Sequence, residues 1–266
     1  MQTSLDPSRW YHRIAAAFIF FTRLPLWRIC QPPRQCYASV VEYWPLTGWL
    51  TAAFMAGTLY AASELMPYPI AVILAIVVRM LLTGALHEDG LSDFFDGFGG
   101  GGTDRQRILD IMKDSRVGSY GVLSLIAYML LFFMALVSMP PFYAALTILA
   151  ADPYAKMLAS ELVIIMPYAR TAETAKSHTV YRRMGIPACI GLAVQGLLPM
   201  GAYIYYMYGL VDWQMLLFVP CLVMYFIYLL IWHRLRGYTG DCCGAMFLMV
   251  ELAVYITCAC YLGSNA

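Results

Sequence analysis

Charge is scarce in this sequence. Asp, Glu, Lys and Arg make up 12% of 266 residues, while 61% are hydrophobic. Soluble domains are about half apolar and about a quarter charged, so an ordinary soluble domain is excluded; a mean hydropathy of +0.66 agrees. No excess of one sign compensates. The formal net charge is +1, and the bases are spread over connecting segments instead of one stripe, which argues against a nucleic-acid partner. Period-2 alternation is missing as well. Backbone in lipid must satisfy its own hydrogen bonds as helices or as a closed barrel, and runs of about twenty apolar residues without alternation select helices. The eight cysteines form no disulfide framework. Cys189, Cys221, Cys258 and Cys260 fall in apolar runs, and Cys242-Cys243 and Cys258-Ala259-Cys260 lack zinc-site spacing. Gly97 to Gly102 fits a dinucleotide fingerprint only trivially, with no βαβ unit around it and no P-loop lysine after it. There is no nucleophilic Ser or Cys motif, no internal repeat and no soluble second domain.

What remains reads as an all-α, polytopic membrane protein, a single integral membrane domain over 1–266 with about seven transmembrane helices. The expected spans are 43–62, 68–86, 117–138, 142–166, 186–208, 214–232 and 243–262. The fourth is polar in its middle, with Asp152, Lys156 and Glu161. Ile14 to Phe21 is too short to span, lies between Arg13 and Arg23 and precedes no small-residue cleavage site, so a short N-terminal interfacial helix is expected. Fifteen of the 17 bases lie in four segments: the N-terminus, 87–116, 167–185 and Arg234 with Arg236. With seven spans all four fall on one side, and the opposite loops carry only Glu64 and Asp212. The positive-inside rule puts the N-terminus and the acidic 87–116 loop in the cytoplasm. The two other bases, Arg79 and Lys156, sit inside spans and are expected to pair, to face a polar site or to snorkel.

The chemistry concentrates in His87-Glu88-Asp89-Gly90-Leu91-Ser92-Asp93-Phe94-Phe95-Asp96-Gly97. Four carboxylates within nine residues are costly beside lipid unless a cation neutralises them. Asp89, Asp93 and Asp96, spaced i, i+4, i+7, line one face if the segment is helical. Oxygen-only ligands suit Mg²⁺, Mn²⁺ or Ca²⁺ better than zinc; the plainer alternative is a solvated acidic loop. Further on, Lys113 and Arg116 stand one turn apart, either as a phosphate grip or as headgroup anchors. Gly237-Tyr238-Thr239-Gly240-Asp241 reads as a turn that brings backbone near a ligand, with Asp241 either a metal ligand or a helix cap. Arg23, in Phe21-Thr22-Arg23-Leu24-Pro25, meets a phosphate or snorkels. Carboxylates for a metal beside bases for phosphate describe phosphoryl transfer. His87 is a proton acceptor, a ligand or a hydrogen-bond partner of a carboxylate.

These blocks resemble the cobalamin synthase, or adenosylcobinamide-GDP ribazoletransferase, family. The resemblance rests on His87-x-Asp89-Gly90-Leu91-x-Asp93-x-x-Asp96-Gly97 and on Arg105 with Leu109 through Gly121. It also rests on Phe21 to Pro25, Pro45 to Gly48, and Gly237 to Asp241 with Gly244, Ala245 and Glu251. It implies a Mg²⁺-dependent transferase of the bacterial inner membrane, multi-pass, with its active site on the cytoplasmic face. A hydroxyl of α-ribazole, or of α-ribazole 5′-phosphate, would attack the cobinamide-linked phosphate of adenosylcobinamide-GDP. GMP would leave and adenosylcobalamin, or its 5′-phosphate, would form. Asp89, Asp93 and Asp96 are then expected to hold Mg²⁺, joined by Asp114 or Asp241. Arg105, Lys113 and Arg116 would neutralise the diphosphate, with Arg23 and Thr239 near substrate. Trp27, Tyr43, Trp44 and Tyr238 are candidates to cover the corrinoid. The sequence departs from the family pattern at Glu88, usually apolar, at Phe94-Phe95, at Arg236, usually glycine, at Lys156, where arginine is common, and after Arg170, where a glycine is lacking. Two other readings stand beside this one: a Mg²⁺-dependent phosphotransferase of CDP-alcohol type, and a cation-coupled transporter. The lipid bilayer is a partner in every case, and the sequence admits a homo-oligomer.

Overall fold

The structure, a computed structural model, describes residues 10–170 and 181–263. Arg9 and Lys176, two of the bases used to orient the chain, lie outside them, as does most of the 167–185 segment. Among the described residues the chain is helical and has no β-strand, only one isolated bridge between Tyr168 and Tyr238. Ten α-helices run in order: α1 (Trp10–Phe21), α2 (Trp44–Ser63), α3 (Tyr68–Thr83), α4 (Leu86–Gly100), α5 (Arg105–Lys113), α6 (Ser119–Val137), α7 (Pro141–Ile165), α8 (Ile186–Tyr206), α9 (Trp213–Leu235) and α10 (Gly240–Leu262). All seven expected spans are therefore helices. Four of them, α6, α8, α9 and α10, are long and apolar enough to cross a membrane, and α3 with α4 makes a fifth if that bent pair counts as one. The protein is a multi-pass membrane protein.

The helices that miss this mark do so for physical reasons. Helix α3 has 16 residues, about 24 Å at about 1.5 Å per residue. Helix α7 carries Asp152, Lys156 and Glu161. Helices α2 and α7 pack against each other at the centre, and Gly48 permits their approach: a Cβ there would lie 2.7 Å from Asp152 Oδ1 and 3.0 Å from Pro153 Cα. Helices α6, α8 and α9 instead expose Leu123, Leu130, Ile190, Leu198, Phe218 and Phe226, an apolar area far larger than soluble monomers show. Helix α10 is the axle. Its most apolar stretch is 67% buried, against 22% in α8 and α9.

The acidic segment is not a loop. It is α4, which leaves α3 at 89°. Gly84 and Ala85 make that corner, both left-handed, with φ of 66° and 55°. The Arg23 side chain crosses the glycine where a Cβ would sit, which explains why glycine stands there. Helix α4 then packs along the start of α10 at a glycine-to-glycine crossing. A Cβ on Gly90 would lie 3.2 Å from Asp241 Cα, and one on Gly244 3.4 Å from the His87 carbonyl oxygen. Two glycines, which weaken an isolated helix, are here what lets this one dock.

Candidate active site

A cleft of about 850 Å³, its open mouth included, lies where distant segments meet: the end of α1, the start of α2, the first turns of α4, the first turns of α10, and the chain at Tyr168, Arg170 and Tyr181. Its walls are largely aromatic, with Phe20, Phe21, Trp44, Tyr168 and Tyr181. His87 is 4% exposed and lies between rings, stacked on Trp44 at 5.7 Å and Phe21 at 6.3 Å, with Phe247 edge-on at 4.8 Å. Its Nε2 has no hydrogen-bond partner among the described residues. Burial pushes the Tyr168 phenol up to about 12 and raises Tyr181 further, so both are neutral O–H groups near neutral pH.

The candidate carboxylates divide. Asp89 and Asp241 both line the cleft, brought together by the Gly90 approach. Asp89 is exposed and makes no ion pair among the described residues. Asp93, one turn on, is 9% exposed. Asp96, at 7%, is engaged by backbone: it accepts from the Gly118 amide at 2.7 Å and the Gly121 amide at 2.8 Å, capping α6. Asp114 pairs with Arg116 across both its oxygens, Nη2 to Oδ2 being 2.6 Å, and those hydrogen bonds hold its carboxyl down at about 2. Of the two readings of Asp241, capping falls to its neighbour. Thr239 Oγ1 accepts from the Cys242 amide at 3.3 Å and donates to Asp241 Oδ2 at 3.4 Å. No three His, Cys, Asp or Glu side chains among the described residues are gathered as a cation site. Mg²⁺ needs fewer, since it is commonly held by one or two carboxylates plus substrate phosphates. The pair Asp89 and Asp241 fits that smaller demand.

The bases divide in the same way. Arg105 is a strap, Nε donating to the Leu235 carbonyl and Nη2 to that of Ala169, both at 2.7 Å. Lys113 lines a neighbouring groove with Arg105 and Arg170. Arg23 is exposed at the α3–α4 corner. Of the proposed cover aromatics, Trp44 lines the cleft, Tyr238 is buried edge-on to Tyr168, and Trp27 and Tyr43 do not line it. Arg170, Phe20, Phe21 and Tyr181 were not singled out in the sequence as cleft residues. Their only signal was position beside a basic or N-terminal block.

Behind the cleft lies a second charged group. Arg79 Nη1 meets Glu251 at 2.6 Å, and its Nη2 meets Glu88 at 3.5 Å and Tyr128 at 2.9 Å. Lys156 meets Asp152 at 2.5 Å and Thr51 at 2.9 Å. Arg79 thus pairs internally and does not snorkel. The Glu88 carboxylate, adjacent in sequence to Asp89, faces this arginine.

The family model described as cobalamin-5-phosphate synthase matches residues 13–259. The chain belongs to this family. Among curated relatives, it is 33% identical to the adenosylcobinamide-GDP ribazoletransferase of Shewanella baltica (strain OS155 / ATCC BAA-1091), over 89% of each chain. It is 30% identical to the protein of the same name from Leptospira interrogans, over 92% of this chain and 94% of that one. The Vibrio parahaemolyticus protein, again of that name, is 32% identical over 91% and 89%. No solved structure matches. The cobalamin-5-phosphate synthase match spans α1 to α10, so the cleft and the buried ion pairs both lie within it.

Proposed function

We propose that this protein joins adenosylcobinamide-GDP to α-ribazole, or to its 5′-phosphate, releasing GMP and forming adenosylcobalamin or its 5′-phosphate. The observation that carries this reading is the cleft itself. In a chain of this family, the acidic face of α4 and the first turn of α10 converge on a nucleoside-sized, aromatic-walled space. The aromatic walls bind the flat base of the acceptor by stacking. Asp89 and Asp241 stand at the wall where a diphosphate would need its charge neutralised. Bound between them and the donor, Mg²⁺ would supply that neutralisation on the non-bridging oxygens. As the acceptor hydroxyl oxygen bonds to the cobinamide-linked phosphorus, the bond from that phosphorus to the GMP oxygen breaks and GMP leaves with the electron pair. His87 Nε2, with no hydrogen-bond partner among the described residues, takes the hydroxyl proton.

The seven helices α2, α3 and α6–α10 are read as spans of the bacterial inner membrane, with the N-terminus and the cleft on the cytoplasmic side. Supporting this, the cleft draws on the ends of the N-terminal, 87–116 and 167–185 segments and the chain just past Arg236, the four basic regions. Incubating the purified protein with adenosylcobinamide-GDP, α-ribazole and Mg²⁺ should release GMP and form adenosylcobalamin in equal amounts, followed by chromatography. GMP no higher than in a protein-free control would overturn the proposal, and preferential CMP release from a CDP-alcohol would put the second transferase reading in its place.

A further inference from the structure

Beside the aromatic cleft lies a second groove, about 640 Å³ with its mouth included, lined by Arg105, Gln106, Asp110, Lys113 and Arg170 among others. One side chain lines both spaces, Arg170. Its backbone is held firmly. The Ala169 amide donates to the Tyr238 carbonyl at 2.8 Å and the Tyr238 amide to that of Pro167 at 3.0 Å, while Arg105 grips the Ala169 carbonyl from the other side. Its guanidinium is not equally satisfied. Nη2 donates to the Leu109 carbonyl at 2.7 Å, but Nε is buried with no partner among the described residues. A guanidinium has five N–H donors in a planar fork, and a buried donor without an acceptor is costly. A phosphate oxygen pair matches that fork.

We propose that Arg170 is the phosphate-reading residue of this enzyme, holding a substrate phosphate where the aromatic cleft passes into the basic groove. The proposal rests on the function proposed above and deepens it. Two phosphates have the required chemistry: the 5′-phosphate of an acceptor whose base lies between the rings, and the diphosphate of the donor lying in the groove. Loss of charged hydrogen bonds to either should weaken binding about tenfold or more.

The test uses the full-length protein in detergent or nanodiscs, as wild type, Arg170→Gln and Arg170→Lys, with adenosylcobinamide-GDP and each acceptor form. The expected result is a KM raised about tenfold or more in Arg170→Gln for one phosphate-bearing substrate, with the KM for unphosphorylated α-ribazole unchanged and partial recovery in Arg170→Lys. A rise confined to α-ribazole 5′-phosphate assigns Arg170 to the acceptor; a rise in the donor KM with both acceptors assigns it to the diphosphate. Unchanged KM values for both phosphate-bearing substrates, or an equal rise for α-ribazole, overturn the proposal. Should Arg170→Gln not accumulate, phenylglyoxal modification of the wild type, mapped by mass spectrometry, replaces it. Protection of Arg170 by inorganic pyrophosphate or by α-ribazole 5′-phosphate supports the assignment, and absence of protection by both overturns it. A wild type that releases no GMP refutes the function proposed above, whereas the protection assay reads Arg170 independently of turnover.

Discussion

Two groups of charges in this protein, one inside the bundle and one at the cleft, have opposite fates. In the bundle interior, Arg79 and Lys156 face Glu251, Glu88 and Asp152, and every member is nearly without exposure. Phenol and hydroxyl groups from Tyr128, Tyr255 and Thr51 add hydrogen bonds to these pairs, with Tyr255 donating to Glu251 at 3.0 Å. At the cleft, Asp89 is exposed with no ion pair among the described residues, and the Arg170 guanidinium is only partly engaged there. The fold gives every charge of the first set an opposite charge within itself, although Glu88 Oε2 and Asp152 Oδ1 accept no hydrogen bond among the described residues, and it leaves the second set open to something that binds. Sequence spacing alone does not separate them, because Glu88 and Asp89 are adjacent residues with opposite roles on two faces of one helix.

The comparison breaks most visibly at Glu251. Replacing it with Gln leaves the buried Arg79 guanidinium with Glu88 at 3.5 Å as its one remaining carboxylate. Removing one member of a buried pair typically costs about 3–5 kcal/mol, whereas apolar replacement of both is often near neutral. Glu251→Gln is therefore expected to lower thermal stability in detergent by about that amount, and adding Arg79→Met together with Glu88→Leu, so that no buried carboxylate of this group loses its cation, should recover much of it. A coupling energy below about 0.5 kcal/mol in the double-mutant cycle would mean that the interior pair is no more integrated than the cleft.

The converse experiment concerns the cleft. Asp89→Asn should lower GMP release about 10²-fold or more, the usual effect of losing a key electrostatic group, with thermal stability unchanged. Asp96→Asn, seven residues on, should instead weaken the cap of α6 by about 0.5–2 kcal/mol, and its loss of turnover should track loss of folded protein. If Asp89→Asn turns over normally, or if both variants behave alike, the division of the acidic face is wrong.

How much of this was legible in the residues follows from the same division. The seven apolar runs announced seven helices because hydrophobic length is a local property. The acidic helix was harder. Its four glycines and four carboxylates are unfavourable in a helix, and only the crossing of Gly90 with Gly244, more than 150 positions away in the chain, shows why it is one. The capping role of Asp96 depends on amides at 118 and 121, across a turn whose path the sequence does not specify. The aromatic cleft was illegible for the same reason, since Phe21, Trp44, Tyr168 and Tyr181 come from separate segments. Arg170 read as one more topology-setting base, and its partly satisfied guanidinium exists only in three dimensions.

The smallest effect sharpens the comparison at a cation that belongs to neither set. Arg236 closes α9 in the left-handed conformation, φ 52°, a backbone that favours glycine. That conformation costs a residue with a Cβ about 1–2 kcal/mol. Arg236 recovers part by placing its guanidinium 5.4 Å from the Trp232 ring, a contact of about 0.5–1 kcal/mol at an exposed site. Arg236→Gly should thus raise thermal stability slightly, by about 0.5–1 kcal/mol, while leaving the KM of every substrate unchanged. A raised KM would place Arg236 among the ligand-facing charges with Arg170, and a lowered stability would show that its side chain matters more than its backbone strain.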